Sequence, residues 1–248
     1  VMAGLAVVLG ADIGTTIVAQ ILMFDVSWLP PLLIAIGYFL HSSKSHAGQR
    51  KQVGRVCLGA GLMLFSLAWI KTSALPLRES AELATLLVSL ARDPVLVLLV
   101  AIGLTWLVHS SLAVVLLVAS LYSADVLSIE LAFLLVLGAN IGNVIAPIML
   151  LRGGAVDAQR VPMGNLIMRI VGVAAVFPFV AIVADMFTQY FGEDDRTIVH
   201  FHMAFNIALA CLFLPFVSVV QRLTTSFVQD KKVSQNVSVP LYLDDKDL

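Results

Sequence analysis

Apolar runs separated by short polar clusters make up most of the chain: residues 1–24, 28–40, 56–70, 94–121, 129–151, 162–186 and 197–220. A helix needs about 20 apolar residues to cross the hydrocarbon core of a bilayer. The runs at 1–24, 129–151, 162–186 and 197–220 therefore predict spanning helices. Those at 28–40 and 56–70 are shorter and need tilt or polar extension to span.

The polar clusters orient the spans. Lys44, Arg50, Lys51 and Arg55 mark one cytoplasmic loop; Arg152, Arg160 and Arg169 mark another; Arg222, Lys231 and Lys232 mark the tail. Residues 185–196 form an acidic outer loop. Within 76–91, Leu83, Leu86, Leu87 and Leu90 fall on one side and Arg78, Glu79 and Glu82 on the other, which predicts an interfacial helix at the outer surface. Residues 94–121 then begin and end on the outer side. About 28 apolar residues that return to their starting side predict a re-entrant hairpin, with its tip near position 108. The chain divides accordingly into 1–72, a partial first repeat; 73–93, the outer helix; 94–225, a second repeat; and 226–248, a cytoplasmic tail.

Composition agrees with this pattern. Hydrophobic residues are 60% of 248 and charged residues 12%, which excludes an ordinary soluble domain and predicts an all-α, polytopic membrane protein. The net charge of -1 predicts no nucleic-acid partner. Cys57 and Cys211 lie in apolar runs without metal or redox spacing and read as core residues.

Gly138-Ala139-Asn140-Ile141-Gly142 has a near-copy at Gly10-Ala11-Asp12-Ile13-Gly14. Paired glycines around a polar residue inside an apolar run predict broken helices. With the orientations above, the first copy runs outward and the second inward, so the repeat is inverted, as in many secondary transporters.

The candidate chemistry clusters at these places. His109, Ser110 and Ser111 sit at the predicted tip, where hydroxyls suit a cation and exposed amides suit an anion; the plainer reading is that the serines bond back to helix carbonyls. Asp12 at the bilayer midplane needs a partner, a proton or a bound cation. Thr15, Thr16 and Asn143 add side-chain oxygens. His200 and His202 point in different directions on one helix, so one is expected at the interface and the other inside. Arg169, one turn from Asn165, reads as a snorkelling anchor or an anion contact at an inner gate. No catalytic constellation is present, so no enzyme is expected.

These residues resemble the type II sodium/phosphate cotransporters and their bacterial relatives. That family carries inverted repeats, each with a QSSSA-type tip followed by a GxNIGTT-type stretch. Here His109-Ser110-Ser111-Leu112-Ala113 and the pentad at 138–142 match the second repeat. Gly10 to Thr16 match the first, and His202 to Asn206 match an HxxFN stretch. A tip equivalent to His109 would lie before residue 1, so the chain is expected to be a piece of a longer protein.

The resemblance implies sodium-coupled symport of inorganic phosphate by alternating access, in a bacterial inner membrane. It places substrate at His109, Ser110, Ser111, Asn140 and Gly142, and sodium at Asp12, Gly14, Thr15, Thr16, Ser110, Asn140 and Asn143. Arg169, His202 and Asn206 are candidates for gating or coupling. No cofactor is implied beyond the coupling sodium ion, and a homodimer is admitted. His109 stands for Gln, Leu112 for Ser, Asp12 for Asn and Asn143-Val144 for Thr-Thr, so other readings stay open. They are a proton-coupled transporter of another small anion, with Asp12 and His109 titrating, and a phosphate-sensing membrane protein that transports nothing.

Overall fold

The computed structural model describes residues 1–23, 28–42, 48–78, 85, 89–90 and 92–229. Most of the predicted outer helix at 76–91 and nearly all of the tail lie outside the described residues. Every regular element described is helical: α1 (Met2–Leu22), α2 (Leu29–Ser42), α3 (Gly48–Arg78), α4 (Pro94–Val108), α5 (Ser111–Ser123), α6 (Ile129–Leu150), α7 (Val156–Val176), α8 (Val180–Phe191), α9 (Asp195–Phe213) and α10 (Val217–Phe227). Short 3-10 turns, Phe177–Phe179 and Leu214–Phe216, join α7 to α8 and α9 to α10.

Among the described residues, four stretches are long and apolar enough to cross a membrane: Met2–Leu22, Ile129–Leu150, Val156–Phe191 and Asp195–Phe227. Large apolar side chains such as Val7, Phe39, Leu107 and Leu150 stand exposed around them. Water would penalise so much bare apolar surface, whereas lipid is its natural solvent. The protein is a multi-pass membrane protein.

The helix starts follow local chemistry. Asp93 accepts hydrogen bonds from the amides of Val95 and Leu96, with Pro94 at the first helical position of α4. Ser110 accepts from the amide of Ala113 and starts α5; Ser128 accepts from Leu131 and starts α6. His109 has a left-handed backbone, φ 59°, and ends α4. The bend between α4 and α5 thus falls at His109–Ser110, where the sequence places a tip. At about 22 Å and 20 Å, neither arm is long enough to span alone.

The expected helix breaks at the pentads are a correction. Both α1 and α6 run without interruption through Gly10–Gly14 and Gly138–Gly142. Glycine weakens a helix by only about 1 kcal/mol, too little to release backbone bonds that find no water in lipid. The glycines of α6 serve close packing instead. A Cβ on Gly138 would lie 2.6 Å from the carbonyl oxygen of Leu98, and one on Gly142 would lie 2.5 Å from that of Ile102, so α4 presses its backbone on this face. Interruptions do occur at the Phe-Pro-Phe and Leu-Pro-Phe turns, where proline removes a donor and clashes with the preceding turn. The basic stretch from Arg50 to Arg55, expected as loop, forms the first turns of α3.

Helix directions follow from the contacts. Leu98 and Ala101 face Gly138 while Ile102 and Thr105 face Gly142, so α4 and α6 run parallel. Gly4 faces Val161, Leu5 faces Gly164 and Asp12 meets Arg169, so α1 and α7 run parallel to each other. α7 follows α6 through the tight turn at 151–155 and returns beside it. The two pentads therefore run in opposite directions. Tyr122, Ser123, Asp125, Glu193, Asp194 and Asp195 line one cavity, which puts the α5–α6 and α8–α9 connections at one acidic end. At the other end the Arg160 side chain donates to the backbone oxygen of Val228 and pairs with Asp157 at 3.2 Å.

The core sits between α5, α6 and α9. Phe133 of α6 stacks on Phe201 of α9 with ring centroids 3.9 Å apart, and Phe187 of α8 meets both edge-on.

Candidate functional site

Arg169 lies near the middle of α7, 2% exposed, between Met168 and Ile170. A guanidinium in such a place is tolerable only if its donors are satisfied and its charge is balanced. Each of the three nitrogens has a partner, and Asp12 balances the charge. Nη2 pairs with Oδ2 of Asp12 on α1 at 2.6 Å, Nη1 donates to Oδ1 of Asn140 on α6 at 2.5 Å, and Nε donates to Oδ1 of Asn165 one turn earlier at 3.2 Å. One side chain thus joins the polar residues of both pentads. The snorkelling anchor expected for Arg169 is corrected: the side chain turns into the bundle because its counter-charge is there.

Asn140 continues the network toward α9. Its Nδ2 donates to the carbonyl of Val136 at 2.8 Å and faces Nδ1 of His202 at 3.3 Å. Asn206 donates from Nδ2 to the carbonyl of His202 at 2.8 Å, and the same nitrogen lies 3.3 Å from both Asn140 Oδ1 and His202 Nδ1. Arginine donation to Oδ1 and donation from Nδ2 to a carbonyl fix the amide orientation of Asn140. Two amide nitrogens then face Nδ1 of His202, and that atom must act as acceptor. The imidazole is neutral with its proton on Nε2. Oδ1 of Asn206 is buried and accepts no hydrogen bond among the described residues.

The network is therefore Asp12, Asn140, Asn165, Arg169, His202 and Asn206. Five of these are sequence candidates, and the structure brings them together. Asn165 was visible only as the neighbour of Arg169. The sequence does carry a signal for the ion pair: Asp12 and Arg169 each interrupt an apolar run, and charges in lipid seek each other. Counting Arg169 toward a cytoplasmic loop hides that signal.

The other candidates lie outside the network. The hydroxyl of Thr15 donates to the carbonyl of Asp12, and that of Thr16 to Ile13, within their own helix. Ser110 caps α5, Ser111 is buried beside it, and His109 is exposed with Nδ1 3.0 Å from the carbonyl of Leu107. Since Thr105 abuts Gly142 and α4 runs parallel to α6, this tip lies between one and two turns beyond Asn140, toward the basic end. Gly142 is buried against α4, Gly14 is exposed, and Asn143 is half-buried on α6. His202 is buried, while His200 stacks on Phe191 at the acidic end of α9, so the two histidines divide as their spacing predicts. Among the described residues no cluster of His, Cys, Asp and Glu could hold a metal ion.

The result is a six-residue polar network with one fixed cation, one carboxylate, one imidazole and three amides, enclosed by membrane helices. A family model described as Na+/Pi-cotransporter matches residues 1–72 and 74–214. The chain is 35% identical over 242 residues to a protein of Escherichia coli (strain K12) named "Putative inorganic phosphate export protein YjbB", and 34% identical to its Salmonella typhimurium counterpart. Both alignments cover 97% of this chain but only 44% of the relative, so the chain spans less than half the length of these proteins. It is also 26% identical over 216 residues to "Uncharacterized protein YqeW" of Bacillus subtilis, covering 87% of this chain and 70% of that one. No solved structure matches the chain.

Proposed function

The chain belongs to the Na+/Pi-cotransporter family, and on that premise we propose that it forms the core of a transporter that moves inorganic phosphate together with sodium by alternating access. The observation that carries this reading is the meeting of both pentads on Arg169. A guanidinium held by two opposed helices is a suitable anion site at mid-bilayer, and the adjacent carboxylate of Asp12 is a suitable cation site.

In this reading the pentads are the centres of two inverted repeats, which their opposite directions support. α4 and α5 form a re-entrant hairpin, supported by the shortness of both arms and the parallel run of α4 and α6. Ser110, Ser111 and His109 line the route between the tip and Arg169. Phosphate entering near the tip would meet hydroxyls and amide donors before it reached the guanidinium. Thr15, Thr16 and Asn143 stand ready as oxygen ligands for sodium once rotated from their resting bonds. The reading makes the protein a carrier and assigns it no chemical reaction.

Direction follows the gradients. A symporter moves its substrates either way, and the net flow is set by the sum of the two electrochemical potentials. The name of the Escherichia coli relative speaks for outward flow, and the family description speaks for cotransport. The test is full-length protein in vesicles loaded with labelled phosphate, with sodium imposed inside, outside or on both sides. Phosphate flux that follows the sodium gradient in either direction supports the proposal. Flux indifferent to sodium but driven by a proton gradient replaces sodium with protons, and specific binding with no flux at all replaces transport with sensing.

A further inference from the structure

Each of the three nitrogens of Arg169 already has a partner, and its single positive charge is balanced by Asp12. Asp12 takes Nη2, Asn140 takes Nη1 and Asn165 takes Nε. One N–H remains on each Nη, but an anion that joined the guanidinium with Asp12 still in place would bring an unbalanced negative charge into the bundle, so an anion pairs with Arg169 by displacing a partner. The two amides are poor candidates, because Asn140 is fully buried and tied to His202 and Val136, and Asn165 sits on the same helix as Arg169. Asp12 is the different partner. It is itself an anion, and its side chain is 13% exposed against 2% for Arg169. A Cβ built on Gly10 or Gly14, two residues to either side, would meet no described residue within 4 Å. The Gly10–Gly14 face of α1 thus bears no close backbone contact of the kind that α4 makes with the Gly138–Gly142 face of α6.

Resting on the phosphate reading above, we infer that Asp12 is a built-in competitor for the substrate anion: the Asp12–Arg169 pair opens when phosphate takes Arg169 and sodium takes Asp12. Each ion alone is disfavoured. Phosphate without sodium leaves the Asp12 carboxylate unpaired in the membrane, and sodium without phosphate leaves Arg169 unpaired. Both together replace one neutral pair by two. The exchange makes the binding of the two ions mutually dependent without a large movement of helices, and by thermodynamic linkage each raises the affinity for the other by the same factor.

Equilibrium binding of labelled phosphate to the full-length protein in detergent, at fixed pH with sodium or an organic cation as the salt, tests this. In the wild type sodium is expected to raise phosphate affinity about tenfold or more. In Asp12→Asn the guanidinium is unmasked while Asn140 and Asn165 still hold it. Phosphate then binds without sodium at least as tightly as the wild type does with it, and the sodium effect falls below about twofold. Undiminished sodium dependence in Asp12→Asn overturns the exchange while leaving sodium-coupled transport standing. Absence of phosphate binding, or of any sodium effect, in the wild type overturns the functional reading and the exchange with it. The double variant Asp12→Asn, Arg169→Gln carries neither buried charge and serves if the single variant does not fold. It should bind phosphate weakly and independently of sodium, and sodium-dependent phosphate binding by it also overturns the exchange.

Discussion

The side-chain oxygen of Asn140 on α6 accepts a hydrogen bond of 2.5 Å from Nη1 of Arg169 on α7, and the nitrogen of the same amide donates to the Val136 carbonyl and faces His202. One fully buried amide thus links three helices. Asn140→Ala should leave an arginine donor and an imidazole acceptor without partners inside the bundle. Each orphaned group costs about 1–3 kcal/mol, and thermal unfolding in detergent should show a clear fall in midpoint. An unchanged midpoint would mean that the network is not formed in solution.

His202 is expected to be neutral at pH 7, with the proton on Nε2, because Nδ1 accepts from amides. Nitrogen NMR of histidine-labelled protein should find one resonance with an unprotonated Nδ1 and a protonated Nε2. In Asn140→Ala that preference should weaken, since one of the two amides is gone. The opposite tautomer in the wild type would overturn the amide orientations of Asn140 and Asn206.

The two pentads should respond differently to alanine. At Gly142 an added Cβ runs into the α4 backbone, 2.5 Å from the Ile102 oxygen, and at Gly138 it comes within 2.6 Å of the Leu98 oxygen. Backbone cannot move aside cheaply, so Gly138→Ala and Gly142→Ala should each destabilise by about 1–3 kcal/mol. Gly10→Ala meets no described residue and adds helix propensity, a gain of up to about 1 kcal/mol. Unfolding midpoints of the three variants, measured side by side, decide it.

Ser110 tests whether the tip does more than shape the chain. Its hydroxyl caps α5, so Ser110→Ala should cost about 1 kcal/mol of stability. Ser110→Asp keeps a capping oxygen but adds negative charge on the proposed phosphate route. The aspartate variant should be the more stable of the two and the poorer in phosphate binding. Equal phosphate affinity in both would restrict Ser110 to its capping role.

The aromatic cluster should behave as one unit. Phe133→Ala and Phe201→Ala remove opposite faces of the same stack, so their effects on stability should be less than additive. A double-mutant cycle is expected to give a coupling of about 0.5–1.5 kcal/mol.

Periodicity and charge alone carried much of the fold. Four long apolar runs, basic clusters on alternate turns and a bend near position 108 follow from the cost of exposing backbone and charge to lipid, a local matter that each segment settles for itself. The repeated pentad pointed to Asp12 and Asn140, and the HxxFN stretch pointed to His202 and Asn206. What the pentad glycines do could not be read in the same way, because a glycine either breaks a helix or admits a neighbour, and only the neighbour decides. α4 lies on Gly138 and Gly142, and no described residue lies on Gly10 and Gly14. The role of Arg169 was likewise tertiary. In the sequence it is one more basic residue after a turn; in the fold its α7 backbone lies between α1 and α6, where Asp12 and Asn140 come within reach. A buried charge takes its meaning from its partners, and those are chosen by helix packing.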